Sequence, residues 1–375
     1  MTKTMLKLTN LDKFYGPAGK GFHAVKNLNM DINAGEIIAL LGSSGCGKTS
    51  TLRMIAGFEP VSRGTIIMAD REVHQLPPVR RHVAMAFEGY SLYPTVNVRD
   101  NIAFALKAAK LAEADVTRRV NEVASMLEIT DILHRMPGTI SGGQQQRASL
   151  ARALVREADL YLLDEPMGQL EPQLRTLLRG RIKHYIKEHG LTAILVTHDQ
   201  TEANALADRI AVMEGGVLQQ FASPQEIKFK PANLFTGTFV GEPPMNTFPA
   251  KAAAETNGSL SFDLGNGQKL VYKPEAFKAG TRELVASLGD VVIGIRPYAV
   301  QRAEQGVTAN VNVNQWLGDQ SHIGATLSNR PLVLVEHERS AVRVGESIGV
   351  HFPANDLHVF DAISGQAITH GQEIA

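Results

Sequence analysis

The sequence predicts an α/β domain built on a P-loop nucleotide-binding motif, followed by a smaller all-β, OB-like barrel. Three observations carry this. An apolar strand, Ile37 to Leu41, runs straight into a glycine-rich loop that ends in Gly47, Lys48 and Thr49. Helix-like segments and buried strands alternate as far as TAILVT, the pattern of a parallel sheet with ligands at the carboxyl ends of its strands. From about residue 241 onward, short strand-like pieces separated by turn residues dominate.

Length and composition agree with two soluble domains. At 375 residues the chain exceeds one typical core, and 44% hydrophobic with 20% charged residues describes a globular protein. Lysine plus arginine balance aspartate plus glutamate at 38 each, so no basic excess argues for nucleic acid. The single cysteine, Cys46, rules out an intrachain disulfide and fits a reducing cytosol. No apolar run approaches a membrane span, and MTKTMLKLTNLDKFYG lacks a signal peptide's apolar core. The chain is therefore expected to be neither exported nor membrane-spanning by itself.

In chain order, Leu6 to Tyr15 and Leu28 to Ile32 read as strands around a glycine-rich turn, GPAGKG. Tyr15 is either a surface aromatic of this hairpin or, beside a P-loop, a residue placed to stack on adenine. Strands follow at Gly64 to Met68 and His82 to Phe87. Pro94 breaks structure, and Val98 onward reads as an amphipathic helix. Leu111 to Arg135 is expected to be helical with a solvated face. The strands DLYLLD and TAILVT flank the helical QLRTLLRGRIKHYIKEHG. GEPPMN, at 241–246, is a joint between a first domain over residues 1–240 and a second over 241–375, whose pieces include LSFDL, QKLVY, VVIGIRP and PLVLVE.

The chemistry of the P-loop dictates its residues. Gly42, Gly45 and Gly47 let successive backbone N–H groups turn onto a polyanion, and the next helix adds its positive dipole end. Gly42, Ser43, Ser44, Gly45, Cys46, Gly47, Lys48, Thr49 and Ser50 thus form the candidate cradle for ATP. Lys48 is expected to reach the β- and γ-phosphates, and the Thr49 hydroxyl to ligate Mg²⁺. Asp164 and Glu165 close the apolar strand YLL at the same sheet edge, Asp164 as a Mg²⁺ partner and Glu165 as the general base for water. His198 ends the next strand, where it could hold the γ-phosphate.

ISGGQQQRASLARALV opens with Ser141 and Gln144 in capping-box spacing. Ser141, Gly142, Gly143 and Gln144 then form a helix N-terminus with bare N–H groups, a second anion site without a lysine. SGGQQQR about twenty residues before a strand ending in Asp-Glu resembles the signature of ATP-binding cassette (ABC) ATPases. FEGYSLYPTVNVRDNIAF and FVGEPPMN resemble the importer branch that energises carbohydrate uptake, the maltose and glycerol-phosphate type. GIRP and GVHFPANDLHVFD resemble its C-terminal regulatory barrel.

The resemblance implies an ATPase at the cytoplasmic face of the inner (plasma) membrane, peripheral, taking up a sugar, polyol or related solute. Its implied partners are transmembrane permease subunits, a second ABC ATPase whose signature helix closes on this chain's ATP, and, indirectly, an extracytoplasmic solute-binding protein. Two positions depart from the pattern. Glu88 stands where the family usually has a glutamine that contributes to the Mg²⁺ site, and Glu171 where it usually has aspartate. A carboxylate at 88 would crowd Asp164, Glu165 and the triphosphate with like charge. Together the departures raise the hypothesis of a non-identical ATPase partner. The competing expectation is a regulatory subunit that binds ATP but hydrolyses it weakly.

Overall fold

The computed structural model describes residues 3–16, 21–89 and 91–374. Residues 17–20 of the glycine-rich turn and Tyr90 of the FEGYSLYP stretch lie outside them. The chain divides into two compact units, residues 1–224 and 225–375.

The first unit begins with two long antiparallel strands, β1 (Thr4–Tyr15) and β2 (Phe22–Asn33). Strand β3 (Ile37–Gly42) is buried along its whole length and delivers the chain to helix α1 (Lys48–Ala56). Strands β4 (Arg63–Met68) and β5 (Arg71–Glu72) complete an antiparallel sheet of order β2-β1-β4-β5. Then come β6 (Val83–Ala86), α2 (Val98–Ala108), α3 (Glu113–Met126), α4 (Gly142–Leu154) and β7 (Leu160–Asp164). The unit ends with α5 (Pro172–Glu188), β8 (Ala193–Val196), α6 (Gln200–Leu206), β9 (Arg209–Glu214) and β10 (Val217–Ala222).

The main sheet has the order β10-β9-β3-β8-β7-β6, parallel except at the β9–β10 edge. Its central strands β3 and β8 are buried and apolar throughout, as is β7 up to Asp164, because both faces are covered, as expected of a parallel sheet. Leu6, Leu28, Ile38, Leu52, Ile55 and Leu162 belong to one core that joins the two sheets through α1. Burial of such side chains stabilises by roughly 1.5–3 kcal/mol each, an upper estimate before chain entropy.

The helix expected over Leu111 to Arg135 is shorter. It stops at Met126, Glu128 adopts a left-handed φ of 53°, and a single 3₁₀ turn follows at Thr130–Ile132. Leu127, Ile129 and Ile132 are fully buried, so inward packing of this corner overrides continuation of the amphipathic helix. Glu171 sits at the N-cap of α5 and makes no side-chain cap bond, where a shorter aspartate would be well suited.

The second unit starts with two short helices, α7 (Pro224–Phe229) and α8 (Leu234–Phe239). Strands β11 (Asn246–Ala254), β12 (Leu260–Asp263) and β13 (Lys269–Tyr272) are followed by α9 (Ala279–Leu288) and β14 (Asp290–Ile295). Then come β15 (Gln301–Trp316), β16 (Ser321–Leu327), β17 (Arg330–Glu336), β18 (Ser347–His351), β19 (Leu357–Asp361) and β20 (Ala367–Thr369). They form two antiparallel sheets, β13-β12-β11-β14-β19-β20 and β17-β16-β15-β18, enclosing one apolar core, the expected β-barrel domain. Asn246 ties the sheets together: its amide donates to the Val333 carbonyl at 2.8 Å and accepts from the Val333 N–H at 2.7 Å.

The compact units part at Pro224 and Gln225, ahead of the GEPPMN joint. Arg296, from GIRP, supplies the physical reason. Its guanidinium donates to the carbonyls of Lys228 and Gly237, both at 2.9 Å, and of Val240, so both short helices are fastened to the β unit. Burial pulls the Arg296 pKa down to about 10. Arg296→Met leaves those carbonyls without a donor and is expected to destabilise the unit by about 2–3 kcal/mol. Hydrogen exchange over residues 225–240 should accelerate; protection equal to wild type would contradict this role.

Candidate functional site

The site begins where β3 ends. Gly47 has φ 101°, and a Cβ there would lie 2.5 Å from the Ala24 carbonyl, while one on Gly42 would lie 2.2 Å from the Met213 carbonyl. Glycine is therefore required by backbone angle and contact at Gly47, and by contact at Gly42. Gly47 is the N-cap of α1 without a side-chain cap, and the first turn carries no acid, so its N–H groups are left for an anion. Lys48 is buried, its Nζ donating to the carbonyls of Gly42 at 2.8 Å and Ser43 at 2.9 Å. Ser43 Oγ donates to Glu214 at the end of β9, 2.5 Å away, pinning the first turn of the loop. Cys46 is buried within the loop, and burial pushes its thiol pKa up. Ser44 and Gly45 are exposed, and Thr49 and Ser50 are half-buried in the first turn of α1.

Tyr15 ends β1 against this helix. Its hydroxyl lies 3.1 Å from Ser50 Oγ, and the Lys13 ammonium sits 4.6 Å from its ring centroid. One face of the ring is thus already covered by a cation that is itself buried and bonded to Glu59.

The carboxylates stand at the ends of neighbouring parallel strands. Asp164 pairs in register with Val196, and the Glu165 N–H donates to the Val196 carbonyl at 2.9 Å. That places Glu165 beside His198, with Nδ1 and Oε1 2.9 Å apart. Glu165 adopts φ 45°, a left-handed angle of the kind that clusters at functional sites. Asp164 is 4% exposed, and its Oδ1 is buried without a hydrogen-bond partner. Burial first, then the charges of Glu88 and Glu165, push the Asp164 pKa up to about 6, with Arg53 and Lys48 opposing. Glu88 itself is exposed on the loop after β6.

Ser141 and Gln144 form the capping box at the start of α4: Ser141 Oγ accepts from the Gln144 N–H at 3.3 Å, and Gln144 Oε1 from the Ser141 N–H at 2.9 Å. The backbone groups left for an anion are thus those of Gly142 and Gly143. Among the described residues, no hydrogen bond of Ser141 or Gln144 reaches the P-loop; the structure keeps the two anion sites of one chain separate.

Residues 25–168 match the family described as ABC transporter, and residues 293–360 match the TOBE domain. The chain is 40% identical to the trehalose/maltose import ATP-binding protein MalK of Thermococcus litoralis, over 92% of this chain and 95% of that protein. It is 38% identical to the sn-glycerol-3-phosphate import ATP-binding protein UgpC of Cupriavidus pinatubonensis, over 97% and 99% respectively. The chain belongs to the ABC transporter ATP-binding family. Among solved structures, the dimeric ATP-binding cassette MJ0796 in a post-hydrolysis state with ADP and Pi matches with TM-score 0.55 and 27% identity. It covers 58% of this chain and 98% of that one.

As an ABC ATPase the chain also uses residues that its motifs do not advertise. Gln146 is buried on α4; its amide donates to the Glu165 carbonyl at 2.8 Å and accepts from the Gln169 N–H at 3.0 Å. The signature helix is therefore bonded to the loop that carries the candidate base. Beside β6 this ABC subunit has an open apolar groove of about 890 Å³, lined by Phe58, Val79, Phe87, Tyr93 and Phe104 with Arg152 at hand. Val79 is 88% exposed and Phe104 53%, unusual for such side chains. Phe87 lines this groove, and the next residue is Glu88. The stretch FEGYSLYPTVNVRDNIAF holds Phe87, Tyr93 and Phe104, but Phe58, Val79 and Arg152 come from distant parts of the chain, so the groove itself is written in no single stretch.

A raised carboxyl pKa stabilises the fold below its unfolded value and loses that contribution as pH rises through its folded value. For Asp164 the window runs from its ordinary 3.8 to about 6. In the nucleotide-free chain, Asp164→Asn is expected to raise stability at pH 7.5 by roughly 2 kcal/mol and to change little near pH 4. Urea unfolding at the two pH values measures this, and an equal effect at both would contradict it.

Proposed function

We propose that this chain is the ATP-hydrolysing subunit of an importer for a sugar, polyol or related small solute, peripheral at the cytoplasmic face of the inner membrane. The named trehalose, maltose and glycerol-3-phosphate relatives support the solute class. The observation that carries hydrolysis is the 2.9 Å contact between Glu165 and His198 at the carboxyl ends of β7 and β8. Lys48 supplies the positive charge of the phosphate cradle. Glu165 accepts the proton of the attacking water, and His198 holds Glu165 in place and faces the γ-phosphate. Catalysis is then positioning and charge compensation, without a covalent intermediate.

The residues fit Mg²⁺. Asp164 Oδ1 is a buried oxygen without a partner, and oxygen donors suit this hard cation. Thr49, Asp164 and Glu88 would hold it, and Mg²⁺ when bound offsets the charge gathered on the phosphates. Among the described residues, no group of three or more His, Cys, Asp or Glu is arranged to hold a metal unaided; oxygens of the nucleotide would complete the set.

In the proposed assembly two ATPase chains meet head to tail, Ser141, Gly142 and Gly143 of one serving the ATP held by the other. The groove beside β6 receives an amphipathic segment of the transmembrane permease subunits, and an extracytoplasmic solute-binding protein delivers the solute to them. Its aromatic lining favours such a segment: Phe58 packs on Phe87 at 5.4 Å and Tyr93 on Phe104 at 4.9 Å between centroids. Among the described residues, no helix is long and apolar enough to cross a membrane. Glu88, whose charge helps raise the Asp164 pKa, favours a second reading, in which this site hydrolyses weakly beside a non-identical ATPase partner.

Glu165→Gln is expected to lower turnover by about 100-fold or more while ATP affinity stays within a few-fold; rapid hydrolysis by that variant would overturn the assignment. Phe104→Glu should leave ATP binding intact and abolish co-purification with the permease. Glu88→Gln should raise the single-turnover rate of the assembled transporter, and a rate that does not move would reject the weak-site reading. Two copies of this chain and no second ATPase in the purified transporter would reject non-identical pairing.

A further inference from the structure

A buried carboxyl group lies beneath the turn that carries His198, and the hydrolytic scheme above leaves it without a task. Glu202, in the first turn of α6, is 3% exposed. Its Oε2 accepts from Thr197 Oγ at 2.7 Å, and its Oε1 is buried without a partner. Thr197 is itself 2% exposed, and its oxygen also accepts from the Asp199 N–H at 3.0 Å. On the far side, Asp199 Oδ1 accepts from the N–H groups of Thr201 at 2.7 Å and Glu202 at 3.1 Å. Asp199 Oδ2 is held by Arg175 at 3.3 Å and Arg179 at 3.4 Å on α5. Both residues flanking His198 are therefore pinned, and the imidazole between them, 70% exposed, reaches Glu165 from a fixed backbone.

We propose that Glu202 is a positioning residue for ATP hydrolysis, acting through the Thr197 hydroxyl to hold the His198 turn so that its imidazole meets Glu165. The proposal rests on the hydrolytic reading above. A single hydroxyl proton is the crux. Thr197 gives it to Glu202, which turns the oxygen's lone pairs toward the Asp199 N–H; without that acceptor the hydroxyl is free to rotate and the turn loses one of its two anchors. A carboxyl is costly to bury in its charged form. Burial, with Asp199 adding repulsion, pushes Glu202 up to about 7, while Thr197, Arg179 and Arg175 oppose. The neighbouring β3, IIALLG, brings no charged group. The neutral acid serves the role as well as the anion, because its carbonyl oxygen still accepts from the Thr197 hydroxyl. Glutamine reproduces that shape and hydrogen-bonding capacity.

The test uses the full-length chain, with ATP hydrolysis read in the assembled transporter. Glu202→Ala and Thr197→Val should lower kcat for ATP about tenfold or more while the ATP Kd stays within about twofold. Glu202→Gln and Thr197→Ser should recover most of the loss. In the nucleotide-free chain, the ¹⁵N signal of the His198 imidazole should move in the first two variants and stay at the wild-type position in the second two. Thr197→Val replaces the hydroxyl with a methyl group of similar size, so it carries the test should Glu202→Ala not fold. An unchanged His198 signal in Thr197→Val, or kcat and Kd worsening in parallel, would overturn the proposal. A wild-type assembled transporter without hydrolysis would instead refute the hydrolytic reading, and the imidazole signal would still decide what Glu202 does.

Discussion

The structure of the first unit turns on the parallel pairing of β7 with β8. Four register pairs, from Tyr161 with Ala193 to Asp164 with Val196, bring two strands with no charged residue before Asp164 to end at the same level. Beyond them stand Glu165 and His198, 33 residues apart in sequence and 2.9 Å apart in space. A slip of one residue would send Asp164 to the other face of the sheet and separate the pair. Burial of both faces makes that slip costly, so the core that stabilises the sheet also fixes the site.

The same sheet edge concentrates negative charge. Burial, then the charges of Glu88 and Glu165, raise the cost of ionising Asp164, and Arg53 and Lys48 offset only part of it. Such an arrangement is a poor way to stabilise an empty fold and a good way to favour a cation with a triphosphate. The signature helix joins this edge through Gln146, and the His198 turn through Thr197 and Glu202, so each of these two segments is fastened by a polar bond shielded from solvent.

Local sequence carried the features whose chemistry is local. The P-loop spacing, the capping box at Ser141 and the strand ending in Asp164 and Glu165 each depend on residues a few positions apart, and the structure places each on the expected strand, turn or helix start. What escaped depends on distant contacts. The cover of Lys13 on Tyr15 requires Glu59 and Pro60, nearly fifty residues on. The early stop of α3 is decided by where Ile129 and Ile132 can bury, which helical periodicity does not report. Arg296 fastens α7 and α8 to the β unit from about sixty residues away, a grouping invisible in the Pro/Gly content of GEPPMN. Glu202 reads as an ordinary acid in a helical first turn until its burial beneath Thr197 is seen.

If Glu165 and His198 act as one unit, their contributions cannot add. A double-mutant cycle of Glu165→Gln and His198→Ala, read by single-turnover ATP hydrolysis in the assembled transporter, measures this most directly. The expected result is that the double variant is scarcely slower than the slower single variant, a coupling of roughly 1–2 kcal/mol or more. Losses that simply multiply would show two independent residues and contradict the pairing on which the site is built.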